Sequence, residues 1–358
     1  MKRKYKYIDL FAGIGGFRQA FEANGNFDCV FSSEFDKACQ EVYFLNYGEL
    51  PSGDITKINE LDIPNFDVLS AGFPCQPFSI SGKKKGFEDT RGTLFFDICR
   101  IIKAKKPKVI LLENVRHLIQ HNKGRTFKVI INHLLNLGYN VSYKVLNSKD
   151  FGLPQTRERI FIVGSKHGLF DFDKIKTKES VILKDFLDTD REFEYLKKEE
   201  YTLLDEKLIK KQPKSGLIFC GYRNKNIWKK GIRPNTLHLS RCHRQPNRIY
   251  SIEGTHPTIP SQETSGRFFI YDTNNRKVRK LTIDECYRIM GFPDDFKKHE
   301  SITEQYRQIG NSVAIPVVSA IINAIDDQKL LSNLKTKTYG NDKKNKIRVN
   351  NNQLLFDF

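Results

Sequence analysis

Along the first 165 positions, short runs dense in β-branched and aromatic residues alternate with stretches whose apolar residues recur every three or four positions. The runs at Tyr5–Phe11, Phe27–Ser33, Asp67–Ala71, Val109–Glu113, Val141–Val145 and Ile160–Val163 predict strands. The stretches Gly15–Asn24, Lys37–Leu45, Leu94–Ala104 and Thr126–Leu137 predict helices. Strand–helix alternation of this kind sets helices on both faces of a mostly parallel sheet, so this part predicts a doubly wound α/β fold. Helical spacing returns from Leu281 through TIDECYRIMGF and NSVAIPVVSAIINAI, and after Leu331 the chain turns Lys- and Asn-rich up to NNQLLFDF. No internal repeat is visible. The pattern shows no continuous run of roughly 18 apolar residues, so no membrane span is expected. The opening MKRKYKYIDLF has basic residues but no apolar h-region, and reads as a first strand rather than a signal peptide.

Charge changes the picture of the second half. The chain has 358 residues, 60 Lys plus Arg against 42 Asp plus Glu, and a net charge of +18. The excess is uneven: from Lys207 to Ile252 there are 12 Lys or Arg residues and no acid at all. Phe219, Tyr222, Trp228 and Tyr250 are interleaved with them. A solvated helix face usually keeps some Glu for pairing, so this stretch predicts contact with a polyanion. Arg241, Arg244 and Arg248 suit phosphate or guanine contacts.

Seven cysteines are scattered at 29, 39, 75, 99, 220, 242 and 286 without a CxxC pair. They predict free thiols in a reducing cytosol, most of them buried as small hydrophobes. A zinc site built from Cys220, Cys242, His238 and His243 lacks paired ligand spacing, and no metal is expected.

Four strand ends carry chemistry. DLFAGIGGF (Asp9–Phe17) puts Gly13, Gly15 and Gly16 between a strand and a helix, where backbone can approach a ligand. Glu34 ends the next strand, where doubly wound folds place a carboxylate for ribose hydroxyls, and Gly53-Asp54-Ile55 adds a second acid. These fit a nucleoside-containing cofactor, whether a dinucleotide or S-adenosylmethionine. GFPCQPFSISGKKKG (Gly72–Gly86) delivers Cys75 to the carboxyl edge of the sheet, ahead of a flexible basic loop. Glu113-Asn114-Val115 reaches the same edge, and QTRER (Gln155–Arg159) brings two guanidiniums.

With these blocks in series, the chain resembles the bacterial DNA (cytosine-5)-methyltransferases that partner restriction enzymes. DLFAGIGGF, Glu34, GDI, GFPCQPFSISG, RGTLFFDI, ENV, QTRERIF and QIGNSVAIPV follow the family order across residues 5 to 325. Met290 stands where many relatives have Gln, and Thr255-His256-Pro257-Thr258 follows its block only loosely. The resemblance implies a doubly wound, mostly parallel sheet of the S-adenosylmethionine-dependent methyltransferase type with a smaller target-recognition lobe. It implies a catalytic and cofactor domain at 1–183, a recognition lobe at 184–304, a returning helix at 305–330 and a flexible tail at 331–358.

The resemblance also implies roles. Cys75 would add to carbon 6 of a cytosine flipped out of duplex DNA, because carbon 5 alone is too weak a nucleophile. Glu113 would stabilise ring nitrogen 3, and Arg159, with Arg157, would bind carbonyl oxygen 2. Phe11, Ala12, Gly13, Gly15, Gly16, Glu34, Asp54, Ile55, Pro74, Leu94, Asn311 and Ser312 would hold S-adenosyl-L-methionine. Gln76, Ser79, Ser81, Lys83, Lys84 and Lys85, with Arg241, Arg244 and Arg248, would contact DNA. A monomer in the bacterial cytoplasm is expected, with a cognate restriction endonuclease acting on the same site without direct contact. The final Gln353–Phe358 resembles peptides that dock on the replication sliding clamp, with Phe356 in place of the commoner Leu; a disordered tail ending in a few apolar residues looks the same. A tRNA methyltransferase with the same thiol chemistry and a retired DNA-binding protein are the competing readings. A nicotinamide oxidoreductase explains the glycine loop but neither PCQ nor the basic run.

Overall fold

The computed structural model describes residues 4–74, 94–224, 235–261 and 268–332. In chain order the first lobe holds β1 (Tyr5–Leu10), α1 (Gly16–Asn24), β2 (Phe27–Ser33), α2 (Lys37–Tyr47), β3 (Val68–Gly72) and α3 (Leu94–Lys105). It continues with β4 (Val109–Val115), α4 (Arg125–Asn136), β5 (Asn140–Asn147), the two-residue β6 (Gln155–Thr156) and β7 (Glu158–Ser165). Six of these strands form a sheet in the order β2-β1-β3-β4-β7-β5. The first four pair in parallel, while β7 is antiparallel to both β4 and β5. The sheet is therefore mostly parallel, as the sequence pattern predicts, with β7 alone reversed.

Central strands β3 and β4 are buried at nearly every position, because helices cover both faces of the sheet. The pleat divides their apolar residues in two. Ile8, Leu69, Ile110, Leu112 and Ile162 pack with residues of α3 and α4. Tyr7, Val68, Val109, Leu111 and Val163 pack on the opposite face with α1 and the last helix of the fold.

The smaller lobe holds β8 (Tyr201–Leu203), β9 (Phe219–Arg223), β10 (Arg248–Ser251), β11 (His256–Pro257), β12 (Phe269–Asp272) and β13 (Lys277–Lys280). Five of them form a sheet in the order β13-β12-β10-β9-β8. Its core is slight: Cys220, Ile249, Phe269 and Val278 in one cluster and Phe219, Tyr222 and Tyr250 in another. The short β11 pairs instead with β6, which joins the lobes.

Helices α5 (Ile283–Arg288), α6 (Ile302–Asn311) and α7 (Ile315–Asp327) close the fold. Tyr287, Ile289, Met290, Phe292 and Phe296 pack in the same apolar cluster as Tyr7, Phe17 and Ile321. The chain thus rejoins the large core well before residue 304. Residues 302–327 are long and apolar enough on average to cross a membrane by composition, but 67% of that window is buried in the fold. Helicity breaks between Asn311 and Ile315, and both halves serve the core.

Candidate active site

The register of β3, β4 and β7 builds the centre. Gly72 pairs with Glu113, and Val115 pairs with Arg159. Glu113, Val115, Arg159 and Phe161 consequently share one face, and Glu113 and Arg159 are diagonal neighbours across two strands. Arg159 Nε lies 3.1 Å from Glu113 Oε1, with the side chains 17% and 11% exposed. Burial raises the Glu113 carboxyl above the ordinary carboxylate range, while Arg159 and Arg157 pull it back. Arg159 remains the cation of the pair, since a guanidinium keeps its proton. A carboxyl poised in this way can hold or give up a proton beside a fixed positive charge.

The same edge is locked from below. Asn114 donates through Nδ2 to the Phe73 carbonyl at 2.8 Å, and its Oδ1 accepts the Val115 amide at 2.8 Å. A Cβ at Gly72 would sit 3.6 Å from Glu113 Oε2, so the carboxyl reaches the strand end that leads to residue 75. Cys75, Gln76, Ser79, Ser81 and Lys83–Lys85 lie outside the described residues.

Arg157 behaves differently from Arg159. It is 2% exposed, and it donates from Nη1 to the Ile259 carbonyl at 3.3 Å. From Nη2 it donates to the carbonyls of Gly310 at 2.9 Å and Ser312 at 2.7 Å. Its fork is turned onto main chain, where the sequence led us to expect a base contact. Arg159 instead lines a cavity of about 330 Å³ at the lobe junction, with Arg116, Thr156, Glu158, Leu217 and Gln245.

Gln245 was not singled out from the sequence, because an uncharged amide does not stand out in a basic run. Its Oε1 is buried without a hydrogen-bond partner among the described residues. Arg241 and Arg244 nearby are exposed, whereas Arg248 is half-buried and donates to the His243 carbonyl at 3.0 Å.

The glycine-rich turn lies at the end of β1. Phe11 has φ 57°, a conformation that costs a non-glycine residue roughly 1 kcal/mol. Gly13 and Gly15 follow with φ 56° and 88°. The Gly13 amide donates to Glu34 Oε2 at 2.8 Å, and the Asp36 amide donates to Oε1 at 2.9 Å. Burial raises the Glu34 carboxyl while backbone amides of Asp36, Gly13 and Phe35 oppose the rise, and a carboxylate's roughly four acceptor sites leave room for a ligand hydroxyl. The next residue, Phe35, is 71% exposed, and sequence reasoning passed over it as one more aromatic. Its open ring beside a carboxylate offers a stacking face.

The remaining cofactor candidates differ in setting. Ala12 and Ile55 are buried, Leu94 and Ser312 half-buried, and Pro74 and Asn311 exposed. Asp54 accepts the Thr56 amide at 3.0 Å and the Thr56 hydroxyl at 2.8 Å. At Gly16 a Cβ would lie 2.7 Å from Ser312 Oγ and 2.8 Å from Val313 Cγ2, so the start of α1 presses directly on the segment after α6. A glycine-rich turn, a buried carboxylate and an open aromatic fit a nucleoside cofactor. Among the described residues, no three His, Cys, Asp or Glu side chains gather to hold a metal.

Comparison with known proteins agrees with this geometry. Residues 5–327 match the family of C-5 cytosine-specific DNA methylases. The chain is 43% identical over 325 residues to the Type II methyltransferase M.HhaI of Haemophilus parahaemolyticus, covering 88% of this chain and 92% of that one. It is 44% identical over 326 residues to M.HaeII of Haemophilus aegyptius, covering 90% and 93%. Among solved structures, the S. pombe Dnmt2 methyltransferase shares the fold with a TM-score of 0.62 at 20% identity, over 91% of this chain and 99% of that one. A putative DNA modification methyltransferase from an E. coli prophage gives 0.63 at 21%, over 90% and 99%.

Proposed function

The chain belongs to the C-5 cytosine-specific DNA methylases, and from that premise we propose how its own residues divide the work. It is a DNA (cytosine-5)-methyltransferase of the restriction–modification type, with a methyl donor of the S-adenosylmethionine kind. The bound donor supplies an electrophilic methyl group.

The target cytosine enters the cleft extruded from its duplex, at an unstacking cost of a few kcal/mol. The Cys75 thiolate adds to carbon 6, which moves the ring's electron pair towards carbon 5 and makes that atom nucleophilic. Glu113, its carboxyl raised above the ordinary carboxylate range by burial, gives or shares a proton at ring nitrogen 3 and so disperses the charge that addition creates. Arg159 donates to carbonyl oxygen 2 and fixes the ring's orientation. Once carbon 5 has gained its methyl group it gives its proton to a water molecule, ring nitrogen 3 returns its proton to Glu113, and Cys75 leaves as thiolate, which restores the carbon 5–carbon 6 double bond. At the donor end, the Gly13–Gly16 turn, Phe11 and Phe35 enclose adenine. Glu34 holds the ribose, Asp54 the adenine amino group, and Pro74, Leu94, Asn311 and Ser312 the methionine end.

One observation carries this division: the buried Glu113–Arg159 pair, 3.1 Å apart, lies three residues of chain from Cys75 through Gly72. The test has two parts. Cys75→Ala should abolish methyl transfer while leaving S-adenosylmethionine binding intact; equal loss of both would make Cys75 structural. A duplex carrying 5-fluorocytosine at the target, located first by bisulfite sequencing, should trap a covalent adduct, because fluorine cannot leave as the proton does. Failure to recover the adduct in the presence of the donor refutes the mechanism.

We assign DNA contact to Arg241, Arg244 and Arg248 and to Gln76, Ser79, Ser81 and Lys83–Lys85, and we add Gln245 at the cleft. The protein acts as a monomer in the cytoplasm, protecting sites that a cognate endonuclease would cut. The terminal Gln353–Phe358 docks on the sliding clamp; a clamp pull-down unchanged by its deletion disposes of that assignment.

A further inference from the structure

A guanidinium 2% exposed needs its hydrogen bonds met inside the protein. Arg157 meets those of its two Nη groups with main-chain carbonyls from two distant stretches of chain, while its Nε has no partner among the described residues. The Ile259 carbonyl belongs to the strand connection that follows β11, and those of Gly310 and Ser312 to the end of α6. The two stretches touch with no room for a side chain. A Cβ at Gly310 would fall 2.2 Å from the Pro260 oxygen and 2.5 Å from Ser261 Cα. Gln155 secures the same neighbourhood, accepting the Ile259 amide at 3.3 Å and donating to the Ile289 carbonyl at 3.1 Å.

On its other side the clamped segment meets the cofactor turn, where Ser312 Oγ and Val313 Cγ2 crowd Gly16. A continuous set of contacts thus runs from the start of β7, through Arg157 and the Ser312 carbonyl, to the first turn of α1. Arg159, two residues after Arg157, holds Glu113 at the other end of the same short segment.

We propose that Arg157 is a positioning residue for cofactor capture, holding residues 310–313 against the glycine-rich turn while its neighbour Arg159 addresses the base. The inference deepens the assignment of cofactor and base subsites above and rests on it. Arg157 touches neither ligand; it fixes the wall that the methionine end of the cofactor meets, and couples that wall to the strand that carries Arg159. Lysine at this position can satisfy one or two of the three carbonyls, and methionine none.

The experiment compares wild type, Arg157→Lys and Arg157→Met in three measurements. These are the Kd for S-adenosylmethionine without DNA, cofactor-free exchange of tritium from carbon 5 of cytosine in labelled genomic DNA, and the thermal midpoint. Arg157→Met should weaken S-adenosylmethionine binding by about tenfold or more, with exchange per bound DNA nearly unchanged and Arg157→Lys between the two. Exchange that collapses while cofactor binding holds would place Arg157 on the base and overturn the proposal. Cofactor binding and exchange falling together with the thermal midpoint would reduce it to a general stabiliser, and would also overturn it. Should Arg157→Met fail to fold, Arg157→Lys decides by the same criteria. A wild type that binds S-adenosylmethionine yet methylates no DNA would sink the proposed function alone. A wild type that binds none would sink both.

Discussion

Asp9→Asn should flatten the pH dependence of stability, and the size of the effect follows from the surroundings of Asp9. Its side chain is wholly buried. Oδ1 accepts from the Ser70 hydroxyl at 3.2 Å, and Oδ2 has no hydrogen-bond partner among the described residues. Burial lifts its pKa from 3.8 to about 7, with Ser70 and Arg18 opposing and Glu34 adding to the rise. The folded state therefore holds this proton more tightly than the unfolded state does. Stability is unaffected by Asp9 below the unfolded value and falls as pH climbs towards the folded one, the penalty being complete above about 7. Roughly three pK units at 1.36 kcal/mol each give a full penalty of about 4 kcal/mol, of which about 2–3 kcal/mol develops between pH 5 and 8. Asparagine keeps the shape and cannot ionise. Urea unfolding of both proteins at pH 5 and pH 8 measures the effect. Glu113 contributes a slope of the same sign but remains in both proteins and cancels in the double difference; Glu34, whose charge is coupled to Asp9, cancels only in part. Parallel pH profiles for wild type and Asp9→Asn would refute the assignment of a costly buried charge.

Three further outcomes are expected. Glu113→Gln removes the proton donor but not the shape, and should slow methyl transfer by about 10²–10⁴-fold in a labelled-methyl assay. Arg279 and Glu285, 2% and 0% exposed and joined by two 2.8 Å hydrogen bonds, form a buried bidentate pair. Arg279→Met should cost about 3–5 kcal/mol in denaturant unfolding by removing the cation that Glu285 faces, and a second change of Glu285 to Leu should recover only part of it, since Leu cannot accept the Asp188 and Thr282 amides. Replacing Arg241 or Arg244 with Ala should lower the slope of log affinity for duplex DNA against log salt by about one each; an unchanged slope removes that residue from the phosphate contacts.

The parallel half of the sheet was legible in the sequence because its central strands β3 and β4 open on near-continuous apolar runs, as strands covered on both faces do. The reversal of β7 was not. A run such as Ile160–Val163 reads the same in either direction, and only the long-range register of Val115 with Arg159 fixes its sense. The smaller lobe stood out through its charge, yet its short strands β8 to β13 carry too little periodicity to be found. In the site, Glu113 and Arg159 could be read from their places at strand ends. Nothing in an R-x-R spacing separates Arg157 from Arg159. What separates them is a set of carbonyls more than a hundred positions away along the chain, at the break between β6 and β7. Likewise the apolar stretch 302–327 needed its surroundings to be recognised as core.

The lone backward strand has an engineering consequence. Because β7 arrives at the reactive rim and departs at the opposite rim, the peptide leaving it near Lys166–Gly168 emerges on the far side of the sheet from the chemistry. Cargo grafted there, a fluorophore or a second DNA-reading module, would hang from the inert end of the molecule and leave the working mouth unobstructed.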